Sequence, residues 1–478
     1  MAHHRPTLLV AAKADQQRRA AAGSKMVTAV QEMGEEMTAW RVSMTGRCRA
    51  AARVAWCAGA LAAGQATAGG LIAYEVGTAD VGLASAGYGA RAQDASTVFT
   101  NPAGMTRLEG TQVLAGGQAL WGNTRFSASS GTSPGLGSDN GGYVVGSDGW
   151  FPGGGGFASY SVSPGLKLGF AVTGNFGAPL KYDNSWVGRY YVQEATLLGI
   201  SLLPSIAYKV NDKLSLGASV NALYGIYTNQ VAINNPAPRF GDGRLKLDDN
   251  TWGWGLNLGL LYEVDPGTRV GLTWNSQVDL DFAAPAKFSN LAPGLASLLA
   301  SRGALNAELK VGIKVPQQAM ASVFTEVNDR WALLGSIGWQ QWSKFGQLQI
   351  GIDDTMNPLS LTKDLKFKDT WHLALGAQHR LSEPWLLNFG VAYDSAMQSG
   401  DVSPLLPVNS AWRFAVGGEQ QLSKNAAWGI AAEYLYGGTL DTSLQGSAPV
   451  LVGGRGDVAG AYHNTGTIFV AVYHNWKF

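Results

Sequence analysis

The sequence predicts an all-β protein, a transmembrane antiparallel β-barrel of about fourteen strands. Three observations carry that expectation. Apolar residues are abundant but never run continuously. They alternate with small or polar residues along many segments, and the connections between those segments alternate between short and long.

Composition comes first. Of 478 residues, 46% are hydrophobic and only 14% are charged, against roughly 25% charged in soluble domains. Beyond residue 68 no stretch supplies the ~20 consecutive apolar residues of a spanning helix. Mean hydropathy averages out at −0.01, as it does when lipid-facing and lumen-facing residues alternate.

The period-2 pattern is plainest in the middle of the chain. Trp252, Trp254, Leu256, Leu258, Leu260 and Tyr262 alternate with Gly253, Gly255, Asn257 and Gly259. After the turn Asp265-Pro266-Gly267-Thr268, the residues Val270, Leu272, Trp274, Val278 and Leu280 alternate with glycine or polar residues. Strands are expected near 111–121, 153–161, 166–176, 192–210, 214–230, 251–264, 269–282, 308–327, 331–352, 365–381, 385–394, 408–422, 426–436 and 462–478. An even number lets an antiparallel barrel close with both termini on one side. Short turns such as Ser163-Pro164-Gly165 and Asn211-Asp212-Lys213 alternate with long connections such as 122–152, 231–250, 283–307 and 437–461. Aromatic residues gather towards strand ends, as interfacial girdles do.

The two ends carry addresses. Arg47, Arg49 and Arg53 precede an apolar run from Val54 to Gly64 and an Ala66-Thr67-Ala68 cleavage site, so 44–68 reads as a signal peptide. The mature chain is expected to begin near Gly69, and residues 1–43 read as the product of a mis-assigned upstream start. Both cysteines, Cys48 and Cys57, lie in the removed part. The loss of nine basic and four acidic residues leaves 26 and 30, a net charge near −4. No basic stripe for nucleic acid remains. At the other end Phe478 shares a face with Trp476, Val472, Val470 and Ile468, and His474 interrupts that face. The pattern resembles the signal read by the barrel-assembly machinery, which places the protein in the bacterial outer membrane in contact with its lipid.

Residues 69–110 fit no hairpin. They contain Tyr74-Glu75-Val76-Gly77, Gly82-Leu83-Ala84-Ser85-Ala86-Gly87 and Asn101-Pro102-Ala103-Gly104-Met105. Further along come Val278-Asp279-Leu280-Asp281-Phe282, Val315-Pro316, Trp339-Gln340-Gln341-Trp342-Ser343-Lys344-Phe345, Phe367-Lys368-Asp369-Thr370-Trp371 and Gly390-Val391-Ala392-Tyr393-Asp394. Across 69–478 the chain resembles the FadL family of outer-membrane channels for long-chain fatty acids and hydrocarbons. The resemblance implies a hatch, 69–110, folded into the lumen of a fourteen-stranded barrel, 111–478. It implies passive uptake of hydrophobic compounds, either long-chain fatty acids or related lipids, or monoaromatic hydrocarbons. It also implies a hatch or gating role for Phe99, Asn101, Pro102, Ala103 and Gly104.

Physics fits that picture. So wide a barrel leaves an aqueous channel unless something fills it, and small side chains let an irregular segment pack inside. Pro102 removes a backbone donor and keeps Asn101 out of helix, while Asn101 can cap the turn. Hatch hydrogen bonding is therefore expected to be weakest here. The motif could equally fix the turn and touch no ligand.

The connection 283–307 spaces Leu291, Leu295, Leu298, Leu299 and Leu305 as a short amphipathic helix does. Its apolar face, bordered by Phe282 and Phe288, either packs on another loop or forms a groove that first captures ligand. By alternation Lys310, Lys314, Lys366, Lys368 and Arg413 are expected to point into the lumen, together with Asp279, Asp281, Glu419 and Glu433. The cations could meet a ligand carboxylate or pair internally. No cofactor, metal site or enzyme activity is expected: the six histidines are scattered, and there is no Walker loop, H-E-x-x-H or G-x-S-x-G. A lipase would need a Ser/His/carboxylate set, and a general porin a charged constriction in place of a plug. An adhesive barrel is suggested by nothing more than Arg455-Gly456-Asp457.

Overall fold

The computed structural model describes residues 71–235, 238–345, 347–350, 362–364 and 367–478. The predicted signal peptide 44–68, the extension 1–43 and Lys366 lie outside them. Fourteen strands form the wall: β1 (Gln112–Trp121), β2 (Trp150–Ser163), β3 (Leu166–Tyr182), β4 (Glu194–Lys209), β5 (Leu214–Ile233), β6 (Gly243–Asp265), β7 (Thr268–Asn275), β8 (Gln318–Asn328), β9 (Trp331–Gln340), β10 (Thr370–Ser382), β11 (Trp385–Asp394), β12 (Ala411–Ser423), β13 (Ala426–Tyr436) and β14 (Thr467–Lys477). Each pairs antiparallel with the next, and β14 returns to β1 with Gln112 opposite Lys477 and Trp121 opposite Ile468. Closure leaves no edge, which a sheet in lipid requires because nothing there satisfies a free N–H or C=O.

The expected alternation holds along the wall. Leu168, Phe170, Trp254, Leu258, Leu272, Leu375 and Val472 face outward and are exposed. Tyr160, Tyr208, Tyr262, Trp331 and Trp476 mark the short-turn rim, and Trp150, Trp274, Trp371 and Trp412 lie nearer the long-loop end.

One expected strand pair is corrected. The segment read as 269–282 leaves the wall at Asn275, and the segment read as 308–327 joins it only at Gln318. Between them Val278–Pro285 and Glu308–Val315 pair with each other as a separate two-stranded sheet. Off the wall, the meaning of the alternation reverses. Val278, Leu280, Phe282, Leu309, Val311 and Ile313 pack into the core, while Asp279, Asp281, Lys310 and Lys314 are exposed. Asp279 sits opposite Lys314 in the register.

Residues 71–105 lie inside the barrel and are almost entirely buried. They fit because the inward positions they press on are glycine. A Cβ at Gly217 would stand 2.3 Å from the Ala103 nitrogen, and one at Gly259 would stand 2.1 Å from Asn101 Oδ1. Gly259→Val is therefore expected to displace the turn after Asn101 while the wall still closes. Heat-modifiable mobility should be kept and protease cleavage within 95–108 should appear; a hatch as resistant as before would contradict this packing.

Candidate functional site

The site is built by the hatch and by what lies above it. Asn101 is extended (φ −157°, ψ 102°), and its Oδ1 accepts from the Ala103 N–H at 3.1 Å, capping the turn Pro102–Arg107. Pro102 occupies the first position of that turn, where a missing N–H leaves nothing unpaired. Asn101 Nδ2 donates to the carbonyl of Gly89 at 2.6 Å and to that of Leu260 in the wall at 3.0 Å, while Thr97 Oγ1 donates to the Asn101 carbonyl. The expectation of weak bonding at this turn is thus corrected, because the Asn101 side chain supplies the partners that proline takes away. Ala103 and Gly104 are buried in the same turn, and Phe99 packs edge-on against Tyr88.

Three buried guanidinium groups hold the rest of the hatch, one of them Arg269 of β7, which donates to the carbonyls of Ala90 and Arg91. Arg91 is buried with Asp80 at 3.1 Å and Asp94 at 2.6 Å. Arg413, inward on β12 as expected, contacts Asp394 at 2.6 Å, Glu433 at 3.0 Å and Glu75 of the hatch at 3.0 Å. His372 Nδ1 lies 2.7 Å from Asp394, and its ring faces Tyr74. Ser85 donates to the same Glu75 carboxylate, and Gln118 ties Gly77 and the Glu75 carbonyl to β1. The Arg413 charge is thus engaged by three carboxylates of the protein itself.

The first described residues of the hatch meet the wall at a defect. β3 and β4 lose register between Gly174 and Phe176, so that Asn175 has no place in the ladder although its Oδ1 accepts from Ser201 of β4, and Gly177 has φ +91°. Such a bulge bends the strand and frees backbone groups. The hatch takes them: Ala73 N–H donates to the Asn175 carbonyl and Gly177 N–H to the Leu71 carbonyl, so Ile72 bridges Phe176.

Two spaces open beside this contact. One, of about 30 Å³, is bounded by Leu71 of the hatch, Ala178 and Leu180 of β3, Ala195, Thr196 and Leu197 of β4, Tyr227, Thr228 and Asn229 of β5, and Leu405 and Leu406 of the connection after β11. No charged side chain lines it. The other, also of about 30 Å³, lies against Ile72, Phe99, Asn175, Phe176 and Val278 and has several amide side chains, among them Asn221 and Gln318. Around them one apolar cluster fills the long-loop half of the lumen, including Trp186, Leu223, Phe282, Leu280, Trp342, Met397 and Leu406.

The candidate ligand contacts divide accordingly. Phe282 is fully buried in that cluster with its ring 5.3 Å from Tyr227. Phe288, Leu291 and Leu295 are half-buried against the same cluster and Leu299 is buried, whereas Leu298 on the outer face of α1 (Pro293–Ser301) is exposed. Lys310, Lys314 and Lys368 are exposed and do not enter the lumen, correcting that expectation. Leu71, Ile72, Tyr227, Leu405 and Leu406 went unnoticed in the sequence. The one available signal was Gly174-Asn175-Phe176-Gly177, since Gly and Asn inside an alternating strand mark a bulge.

A closed barrel with a plugged, apolar outer lumen has the architecture of a membrane transport protein. The description "Outer membrane protein transport protein (OMPP1/FadL/TodX)" fits residues 59–478, and the chain belongs to that family of outer-membrane transport proteins. Outer membrane protein P1 of Haemophilus influenzae is 28% identical over 416 residues, covering 79% of this chain and 88% of that protein. The long-chain fatty acid transport protein of Escherichia coli K12 is 26% identical over 416 residues, covering 79% and 90%. Among solved structures, a Pseudomonas aeruginosa FadL homologue superposes with a TM-score of 0.70 at 19% identity, covering 86% of this chain and 100% of that one. The Pseudomonas putida toluene transporter TodX gives 0.56 at 15% identity, covering 87% and 99%. At these identities the two structures speak for the fold.

Arg413→Met should leave Glu75, Asp394 and Glu433 buried without a counter-ion, at about 3–5 kcal/mol. Amide exchange at Gly77, Tyr88 and Gly89 should then accelerate by about a hundredfold or more, with Glu75→Gln milder. Unchanged exchange in Arg413→Met would mean that the cluster does not hold the hatch.

Proposed function

We propose that the protein admits hydrophobic compounds, long-chain fatty acids or related lipids, across the outer membrane by passive passage through the plugged barrel. The observation that carries this reading is the apolar cluster filling the outer half of the lumen directly above the hatch. A pore for polar solutes would keep that space wet and charged. Cargo enters beneath the connections around Leu405 and Leu406, where Phe282 and the partly buried Phe288, Leu291 and Leu295 form the approach. It then meets residues 71–77.

Those residues are the part proposed to yield. Their anchors are the bulge at Asn175, Gln118 and the Glu75–Arg413 pair, whereas the Asn101-Pro102-Ala103-Gly104 turn is fastened from several sides and serves as the fixed base. The relatives named as long-chain fatty acid transport proteins favour fatty acids as cargo. A second reading, monoaromatic hydrocarbons, draws support from the uncharged cavity and the Tyr227–Phe282 ring pair. Export by the 44–68 signal peptide and recognition of the Phe478 terminus by the assembly machinery belong to the same proposal.

The test places a charge in the path. Leu406 is buried on a connection, so Leu406→Asp should leave the wall intact. An unpaired carboxylate there should lower uptake of labelled oleate and of toluene at least about tenfold, in cells lacking other routes. Uptake equal to the parent protein at equal outer-membrane abundance would refute the path.

A further inference from the structure

At the long-loop end a cleft of about 500 Å³ opens on the face turned away from the lumen. Three short extended segments make its wall. Asn123–Ala128 continues the chain beyond β1, Gly142–Val145 pairs with it, and the far end of β3 pairs with Gly142–Val145 on the other side. In that register Asn123 stands opposite Val144 and Val144 opposite Lys181, while Thr124, Tyr143 and Tyr182 form the adjacent row. The second row is buried towards the lumen, so the first row and Arg125 face outward. Gly142, opposite Arg125, leaves the floor bare, because a Cβ there has no room beside the Thr124 carbonyl.

The cleft gathers charge that the protein leaves unused. Arg125, Lys181, Asp148 and Asp183 all line it, and all four are exposed. Among the described residues none of these four side chains has a hydrogen-bond or ion-pair partner. Other charges at this end do pair, Arg189 with Asp242 at 2.7 Å and Lys287 with Asp248 at 2.8 Å. The cleft is also held in shape. Gly146 N–H donates to the Pro179 carbonyl, and Ser147 exchanges backbone hydrogen bonds with Trp150, which fixes the turn that carries Asp148.

Its height selects the ligand. Trp121 and Trp150 stand opposite each other on β1 and β2 and mark the membrane interface on this side. Arg125 lies four residues past Trp121, about 10 Å higher at the rise and tilt of a barrel strand. That is the headgroup layer of the outer leaflet, where the glycolipids of a bacterial outer membrane carry phosphate groups. Guanidinium and ammonium groups are natural partners of phosphate. The two carboxylates would repel a bare phosphate, but a magnesium ion held by one or two carboxylates completes its shell with phosphate oxygens and water.

We propose that this cleft binds the phosphorylated saccharide headgroup of an outer-leaflet glycolipid, with phosphate on Arg125 and Lys181 and a bridging Mg2+ on Asp148 and Asp183. The site lies outside the lumen and needs only the outer-membrane placement of the barrel, so it stands or falls separately from the uptake reading.

The test uses the purified full barrel in detergent, freed of lipid, with folding checked by heat-modifiable mobility. It is mixed with a bisphosphorylated, acylated glucosamine disaccharide or with the same lipid stripped of phosphate, and bound lipid is followed by native mass spectrometry. With Mg2+ present the phosphorylated lipid should bind as a single copy, and the stripped lipid at least about tenfold more weakly. R125Q/K181Q should lose a similar factor. Chelation of Mg2+ should weaken the parent several-fold and leave D148N/D183N unchanged. All four side chains are exposed, so the variants are expected to fold; if one does not, the two lipids compared on the parent decide. Equal binding of both lipids, or binding indifferent to R125Q/K181Q or to Mg2+ removal, would overturn the site. Inorganic phosphate displacing the lipid at equal concentration would show a free-anion site and overturn it too.

Discussion

A sheet in lipid must have every backbone donor and acceptor paired, and that constraint dictates the rest of this molecule. It forces the last strand onto the first, Lys477 against Gln112. Closure with fourteen strands makes a lumen too wide for side chains alone to fill, so the chain folds its own N-terminal segment inside. That segment is irregular and brings its own unpaired backbone groups into a space shielded from water. The wall answers with inward polar side chains: Ser336 and Ser322 accept from Tyr88 and Gly89, Gln118 accepts from Gly77, and Lys167 donates to the Leu108 carbonyl. Glycine faces the hatch where backbone meets backbone, as at Gly217 and Gly259.

The lumen therefore has two solvents stacked end to end. Towards the periplasm it is a dry polar solid, cross-linked by Arg91, Arg413 and their carboxylates. Towards the outside it is an apolar core built from loop residues, with small spaces that the side chains leave unfilled. A hydrophobic molecule partitions into the second and is stopped by the first. The boundary is residues 71–77, and the wall is irregular at the same level. The bulged Asn175 and the left-handed Gly177 bind the edge of the hatch there. The bulge in the wall and the first described residues of the hatch thus form one contact.

Much of this was legible in the sequence, and the failures have physical causes. Fourteen strands were legible because lipid imposes a strict period of two on the outer face, as in Trp252 to Tyr262. The same rule misassigned Lys310 and Lys314. Alternation says that two faces differ but not which face is buried, and beyond Asn275 the apolar face turns to a protein core. Arg413 was placed correctly because β12 stays in the wall, yet its partner Glu75 lies 338 positions away and no local pattern announces it. Asn101-Pro102 was recognised as a turn. Its firmness was not, since it depends on the carbonyls of Gly89 and Leu260, which only the folded chain brings together.

The central claim is that cargo cannot pass until the hatch edge leaves the bulge. Ile72 and Phe176 face each other as a non-hydrogen-bonded pair, with Ala73 and Gly177 donating on either side. In that geometry the Cα atoms lie about 4.5 Å apart, close enough for a disulfide. Both native cysteines, Cys48 and Cys57, lie upstream of residue 68, so a pair introduced as I72C and F176C can be oxidised and reduced with no other thiol in the barrel. The measurement is oleate uptake by this variant before and after reduction. The account expects uptake to be abolished in the oxidised form and restored on reduction; equal uptake in both forms would show that cargo crosses with the hatch edge in place.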